Sequence, residues 1–278
     1  MIFTVGSWNM NQRCQAWARA EHLVATHRVL AFPVQEAKPP SAVPAGWAVH
    51  PDPGDAGAWR IPVPTNTRRW YRSAMAVTDA GLQYRARQPK PLADAADGEF
   101  ACSHPGQFAV VEFLLATCRL TVISFYGIWD RMWDSGRIYP EATLHRAISD
   151  LTVVFQEEGA DHVLVAGDLN VYSYSDGSEW GDRGMTVLDR FARYGLEIIG
   201  PYRPEGEARL ERCPCPDVAC RCVNTFLYRS DPANRPHQLD FFLATPALRA
   251  RLQQCWADPD PAWPSYSDHR PIFATFDL

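Results

Sequence analysis

The sequence predicts a sheet-based fold of the α/β or α+β class, and three observations lead there. Apolar runs of strand length recur along the whole chain: "IFTVGSW", "RVLAFPVQ", "SAMAVT", "FAVVEFLL", "RLTVISFY", "VLVAGD", "QLDFFLA" and "PIFATFDL". Stretches of helical period are few and lie between them. The 278 residues are 46% hydrophobic and 12% aromatic, enough to fill a sizeable core. Many strands with few, separated helices fit a sheet covered by helices. No repeat or low-complexity linker divides the chain, so residues 1–278 are expected to form a single domain.

Taken in order, "IFTVGSW" reads as the first strand. "QRCQAWARAEHLVATH" reads as a helix that Asn11 is able to cap. "RVLAFPVQ" is a second strand, in which Pro33 marks an irregularity or a less buried place. Residues 37–70 hold many of the prolines and glycines and read as loops. "SAMAVT", "FAVVEFLL" and "RLTVISFY" are successive strands, the last two a hairpin across "ATC". Pro140 suits the first position of a helix whose Leu144, Ile148, Leu151 and Phe155 share a face, with Gly159 as its C-terminal cap. A further helix near 184–194 ends at Gly195, and "CVNTFLY", "QLDFFLA" and "PIFATFDL" complete the strands.

Composition removes some functional classes. No apolar stretch reaches the ~20 residues a bilayer span needs, and "MIFTVGSWNM" lacks the basic and apolar regions of a secretion signal. A cytoplasmic protein is expected. The net charge of −5 argues against a broad, non-specific nucleic-acid binder. Charge is uneven, however: between residues 55 and 90, Arg60, Arg68, Arg69, Arg72, Arg85, Arg87 and Lys90 outnumber Asp55 and Asp79. Within that segment "RRWYR" interleaves Arg68, Arg69 and Arg72 with Trp70 and Tyr71, a mixture that can hold backbone phosphate and stack on bases. The same residues also read as a solvated loop before a strand.

Four of the eight cysteines crowd into "CPCPDVACRC" as Cys213, Cys215, Cys220 and Cys222. In a reducing compartment such a cluster favours metal over disulfide. The C-x-C pairs are not the familiar C-x-x-C knuckles, so a structural zinc and four reduced thiols both stand as readings.

Polar chemistry collects where the strand-like runs end. "SWNMN" supplies Asn9 and Asn11, "VQEAK" Glu36, "ISFYG" Tyr126, "VAGDLN" Asp168 and Asn170, "HQLDFF" Asp240, and "SDHRPI" Asp268 and His269. Residues i and i+2 of a strand share a face, so Asn9 with Asn11, and Asp168 with Asn170, are expected to point into one pocket if strand geometry persists. A set rich in carboxylate and carboxamide oxygen, without cysteine, suits a hard cation such as Mg²⁺. A histidine beside carboxylates suits proton transfer or charge stabilisation. Singly, each has an ordinary reading: Gly-Asp as a turn, Asn9 as a helix cap, Tyr126 as core, Glu36 as a partner of Lys38. Their joint occurrence and order carry the argument.

That ordered series, "SWNMN", "VQEAK", "FYG", "GDLN", "LDFFLAT" and "SDHRP", resembles the endonuclease/exonuclease/phosphatase (DNase I-like) superfamily, in a form most like its bacterial-type members. The resemblance runs from about residue 4 to the C-terminus. It implies a four-layer α/β sandwich of two packed, mostly antiparallel or mixed sheets flanked by helices, and Mg²⁺- or Mn²⁺-dependent phosphoester hydrolysis. It implies that Glu36 binds the metal with Asn9, with Asn11 and with Asp268 nearby. Asp168 would orient or deprotonate the attacking water and Asn170 would hold the phosphate. His269, its ring fixed by Asp240, would act on the scissile phosphate, which Tyr126 would contact. Asn11 stands where repair nucleases often have aspartate. The segment "VYSYSDGSEWGDRG" departs from those enzymes, and the cysteine-rich stretch at about 211–223 reads as an insertion beside the active-site rim.

The expected activity is therefore a nuclease acting on DNA or RNA, with nucleic acid as partner and Arg68, Arg69 and Arg72 on substrate phosphate. The alternative is a phosphatase or phosphodiesterase for a small-molecule or lipid phosphate, which the negative net charge favours. A non-catalytic binding module is the third reading, against which the full acid, amide and imidazole set stands.

Overall fold

In the computed structural model the described residues are 1–62, 68–69, 71–128, 140–227 and 235–278, with Pro62, Arg68 and Arg69 described by their backbone alone. Chain order runs β1 (Ile2–Asn9), α1 (Ala16–His27), β2 (Val29–Ala37), β3 (Ala48–His50), α2 (Ala56–Trp59), β4 (Ile61–Pro62), β5 (Arg68–Arg69), β6 (Arg72–Val77), β7 (Tyr84–Arg87), β8 (Lys90–Pro91) and β9 (Ala101–Cys102). It continues with β10 (Phe108–Leu114), β11 (Arg119–Tyr126), α3 (Pro140–Asp150), α4 (Thr152–Phe155), β12 (His162–Asp168), α5 (Glu179–Arg193), β13 (Glu197–Gly200), β14 (Asp240–Ala244), α6 (Pro246–Arg249), β15 (Leu252–Ala257) and β16 (Ile272–Asp277).

Two six-stranded mixed sheets result, ordered β15-β16-β1-β2-β6-β3 and β13-β14-β12-β11-β10-β7. Their plans match. Each has a parallel pair at its centre, β1 with β2 and β11 with β12. Each flanks that pair with antiparallel strands, among them β16 beside β1 and β14 beside β12. The C-terminal ends of the central strands and the starts of β14 and β16 therefore lie at one rim.

The two sheets face each other across a core that includes Phe3, Met75, Phe113, Val122, Leu164, Phe242 and Phe276. The outer face of the second sheet buries Ile123, Phe125 and Val165 against Leu144, Ile148 and Leu151, and against Val187 and Phe191 of α5. The first sheet covers Phe32, Val34 and Phe273 with Trp17, Ala20 and Leu23 of α1. Helix, sheet, sheet, helix is the expected four-layer α/β sandwich.

The predicted hairpin forms with Phe108 opposite Phe125 and Leu114 opposite Arg119. Other expectations are corrected. Asn11 does not cap α1: it stands at φ +44°, and Gln15 precedes the helix without a side-chain cap. Pro33 is buried in β2, a central strand, where it pairs with Met75 and the parallel ladder to β1 passes it by. The helix from Pro140 breaks at Leu151 and ends at Gln156, ahead of Gly159. The helix expected near 184 starts five residues earlier, because Ser178 caps it by accepting the Gly181 amide. "CVNTFLY" is no strand among the described residues: only Phe226 bridges, to His237 and to His269.

Candidate active site

The opening of "GDLN" explains itself in the backbone. Gly167 lies at φ +151°, and a Cβ there would stand 1.9 Å from the Phe125 carbonyl oxygen. Only glycine lets β12 pass that close to β11. Asp168 then closes the strand in register with Tyr126 on one side and Asp240 on the other. Its Oδ1 accepts the Asn170 amide at 2.8 Å, which turns the chain and holds Asn170 at φ +52°. Asn9 does the same at the end of β1: its Oδ1 accepts the Asn11 amide at 2.9 Å, with Asn11 at φ +44°. The pairs thus arise from two like turns, one per sheet, and not from the alternation of an extended strand.

The consequence differs between the pairs. The Asn170 side chain swings back over Asp168 and donates to its Oδ2 at 3.0 Å and to the Gly127 carbonyl at 2.9 Å. Asn11 meets the site through its backbone amide.

Across the gap between the sheets, Asn9 Nδ2 donates to Asp168 Oδ2 at 2.9 Å and to Glu36 Oε1 at 3.2 Å. Glu36, at φ +46°, also accepts the Tyr126 hydroxyl on Oε1 at 2.9 Å. Gln12 donates to its Oε2 at 3.1 Å. On the other flank His269 Nδ1 lies 2.9 Å from Asp240 Oδ2, and its Nε2 lies 3.6 Å from Asp168 Oδ2. The rings of Phe226 and His269 pack at 4.6 Å. Asp168, Asp240 and His269 offer ligand atoms within 4.8 Å of one another.

Burial sets the charges. It raises the Asp168 carboxyl well above its ordinary range, Asp240 adding to the rise while His269 and the amides of Asn9 and Asn170 oppose it. Burial alone would lower His269, but the carboxylates of Asp240 and Asp168 outweigh it and raise the imidazole, to about 10. Burial first, then Glu36, Asp168 and Tyr71, holds the Tyr126 phenol well above its usual value, so it is a neutral donor.

Asn9, Glu36, Tyr126, Asp168, Asn170, Asp240 and His269 are thus gathered into one connected network. Asp268 borders it: its charge is among those raising His269, and its carboxylate lies 3.4 Å from the Ser267 hydroxyl. The guanidinium of Arg72 points to main-chain carbonyls, those of Ala58 and Ser73. The side chains of Arg68 and Arg69, and all of Trp70, lie outside the described residues, whereas Tyr71 stands close enough to Tyr126 to act on its phenol.

Sequence reasoning missed three contributors. Gln12 follows the quoted Asn11 directly. Ser267, beside the quoted Asp268, is buried, donates to the Asn9 carbonyl at 2.7 Å and accepts the His269 amide at 3.1 Å. Gln35 donates to Ser124 at 3.0 Å between the sheets, and a buried glutamine inside an apolar run was the available signal.

The donor set fits a hard divalent cation. Carboxylates of Glu36 and Asp168 stand on either side of the Asn9 amide, all contacts are through oxygen and nitrogen, and the cysteines are elsewhere.

No family model matches the chain, and no curated protein matches it. Solved structures do. The endonuclease domain of TRAS1, a telomere-specific non-LTR retrotransposon, matches with a TM-score of 0.64 at 17% identity, over 100% of this chain and 99% of that one. The AP endonuclease LMAP of Leishmania major matches with a TM-score of 0.66 at 15% identity, over 100% of this chain and 88% of that one. The 3′ phosphatase NExo of Neisseria, bound to a product DNA hairpin, matches with a TM-score of 0.62 at 15% identity, over 99% of this chain and 100% of that one. The likeness is one of fold: that of the DNase I-like endonuclease/exonuclease/phosphatase proteins.

Proposed function

We propose that the protein is a metal-dependent phosphodiester hydrolase that cleaves nucleic acid, DNA before RNA. One observation carries the reading: an unbroken series of contacts runs from Asp240 through His269, Asp168 and Asn9 to Glu36. It joins a proton-handling pair to a pocket of hard oxygen donors. The structural neighbours include an endonuclease domain, an AP endonuclease and a 3′ phosphatase bound to a product DNA hairpin, which supports the choice of substrate.

Glu36, beside Asn9 and with help from Asp268, would hold Mg²⁺ or Mn²⁺, whose chemistry when bound is to polarise the phosphate and lower the pKa of water. Asp168, held by Asn9 and Asn170, orients and deprotonates the attacking water. Asn170 and Tyr126 donate to the phosphate as charge develops. His269, oriented by Asp240, stabilises that charge and supplies a proton to the leaving oxygen. Arg68 and Arg69, close in sequence to Tyr71, would meet backbone phosphate on the Tyr126 side of the pocket. Arg72 donates to the carbonyls of Ala58 and Ser73. The four clustered thiols are reserved for zinc. Eight free cysteines suit a reducing compartment, in keeping with a cytoplasmic location.

The test is cleavage of single- and double-stranded DNA and RNA with Mg²⁺ or Mn²⁺, beside inositol phosphates, nucleotides and phosphodiester lipids. Metal-dependent cutting of DNA that Asp168→Asn abolishes is expected. Inertness to all four nucleic acids with turnover of a small phosphoester would transfer the reading to that class.

A further inference from the structure

The chain that leaves the cysteine cluster runs straight into the catalytic rim. Residues Val223–Leu227 form a strap between the start of β14 and the segment before β16. Thr225, fully buried, is its centre: its amide donates to the His237 carbonyl at 2.8 Å, and its carbonyl accepts the Arg270 amide at 2.7 Å. Its hydroxyl oxygen accepts the amides of Leu239 at 3.0 Å and Asp240 at 3.2 Å. On either side, Val223 N donates to Gln238 Oε1 at 2.9 Å and Leu227 N to the Asp268 carbonyl at 2.8 Å. Asp240 belongs to one sheet and His269 adjoins the other, so Thr225 is bonded to the backbone of both flanks. Phe226 then lays its ring against His269.

At the strap's root three thiols converge, and that of Cys215 adjoins two of them. The sulfurs of Cys213 and Cys220 lie 3.8 Å apart, and Cys213, Cys220 and Cys222 offer sulfurs within 4.8 Å of one another. The Cys215 thiol contacts those of Cys220 and Cys222. Four sulfurs bound to one zinc at about 2.3 Å in a tetrahedron lie about 3.8 Å from each other, whereas a disulfide requires about 2.05 Å. Burial raises the Cys215 and Cys222 thiols, while the Asp217 amide reaches Cys215 and the Cys222 amide reaches Cys220. Arg209 donates to the Cys213 and Cys215 carbonyls and to the thiols of Cys213 and Cys220. One guanidinium offsets part of the double negative charge that four thiolates leave on a zinc ion.

A second path leaves the same cluster. Burial raises the Tyr174 phenol; Cys213, Cys222 and Cys215 are near enough for their charges to add to the rise, and the ring stacks on Tyr172 with centroids 5.0 Å apart. The Tyr172 hydroxyl meets His237 Nδ1 at 3.0 Å. These tyrosines follow Asp168 and Asn170 in "GDLNVYSY". The cluster is therefore continuous in chain with the strap and close to the segment leaving the water-orienting aspartate.

We infer that Cys213, Cys215, Cys220 and Cys222 hold one zinc ion, and that this node positions the Thr225 strap and through it the Asp240–His269 pair. The positional claim about activity rests on the hydrolase reading; the metal and strap claims do not. Zinc is structural here, with four protein ligands and no open position. Thr225 is a positioning residue.

The experiment uses the purified full chain. Elemental analysis is expected to give one zinc per chain, and Co²⁺ exchanged for it the absorption of a tetrahedral tetrathiolate site. In wild type, zinc is released with a mercurial and restored. Release is expected to speed hydrogen exchange at the Thr225, Asp240 and Arg270 amides while amides of β1 and β12 stay protected, and restoration reverses this. With Mg²⁺ in excess, zinc release lowers kcat roughly 10²-fold, the scale of a small misplacement of catalytic groups. Cys222→Ser repeats the loss of cobalt signal; if that variant fails to fold, the release series in wild type decides alone. A chain that takes up neither Zn²⁺ nor Co²⁺, or one whose strap amides ignore zinc release, overturns the inference. Zinc-dependent strap protection in a protein that hydrolyses no phosphoester sustains the inference and sinks the hydrolase reading instead.

Discussion

Asn9 Nδ2 donates to Asp168 Oδ2 across 2.9 Å, from the end of a strand in one sheet to the end of a strand in the other. Both side chains are wholly buried, and Asn9 is fixed in that orientation because its Oδ1 already accepts the Asn11 amide. An amide is the one group that can meet two carboxylates there as a donor. Asn9→Ala is expected to remove a hydrogen bond to a charged group, costing about 1.5–3 kcal/mol of stability. Asn9→Asp is expected to be worse, since it sets a third carboxylate against Asp168 and Glu36. Thermal unfolding of both variants in the metal-free protein checks the order; a more stable Asn9→Asp would contradict the geometry.

His269→Ala removes the imidazole between Asp240 and Asp168 and is expected to lower kcat by ~10²–10⁴. Glu36→Gln is expected to raise the Mg²⁺ or Mn²⁺ concentration needed for half-maximal rate far more than it lowers the rate at saturation. Steady-state kinetics across a metal titration separates the two. Near-full activity of His269→Ala would remove His269 from the chemistry.

The pH dependence of stability follows from His269. Its pKa in the folded protein, about 10, exceeds the unfolded value of 6.5. Its contribution is therefore complete below pH 6.5 and is lost as pH rises towards 10. Asp240→Asn removes the nearest cause of the rise. In the metal-free protein the stability difference between wild type and Asp240→Asn should be largest near pH 6, about 1.5–3 kcal/mol, and shrink towards pH 10. Urea titrations at several pH values would show it; a difference that grows with pH contradicts the assignment.

Gly167→Ala places a methyl group 1.9 Å from the Phe125 carbonyl oxygen and 2.9 Å from Gln35 Nε2, at a backbone angle that disfavours any side chain. A loss of about 3–5 kcal/mol is expected, the range reached by steric and backbone strain together. An unchanged urea midpoint would show that β11 and β12 can part without cost.

Much of this was written in the chain. The polar termini of the apolar runs, from Asn9 to His269, lie at one rim, because parallel central strands end on the same side of their sheets and the neighbouring antiparallel strands start there. What local sequence could not convey was tertiary. The pairs Asn9/Asn11 and Asp168/Asn170 are expected to share a direction by strand alternation, yet the first residue of each pair makes a turn, which returns the Asn170 side chain but the Asn11 backbone amide to the site. Pro33 reads as an irregularity or a less buried place; it is buried in a central strand, and the irregularity is that the parallel ladder passes it by. "CVNTFLY" has strand composition but spends its hydrogen bonds bridging two flanks, a choice that depends on partners distant in sequence. Ser267 and Thr225 carry no signal of their own beyond a hydroxyl.

The matched plans of the two sheets bring a mechanical consequence. Three of the networked groups, Asn9, Glu36 and His269, ride with one slab and four, Tyr126, Asp168, Asn170 and Asp240, with the other, and the oily filling and a handful of bridges keep them aligned. Sliding one slab by a single residue, about 3.3 Å, would part Asn9 from Asp168 without melting a strand. Loosening of the filling would therefore silence the protein while its circular dichroism still looked native.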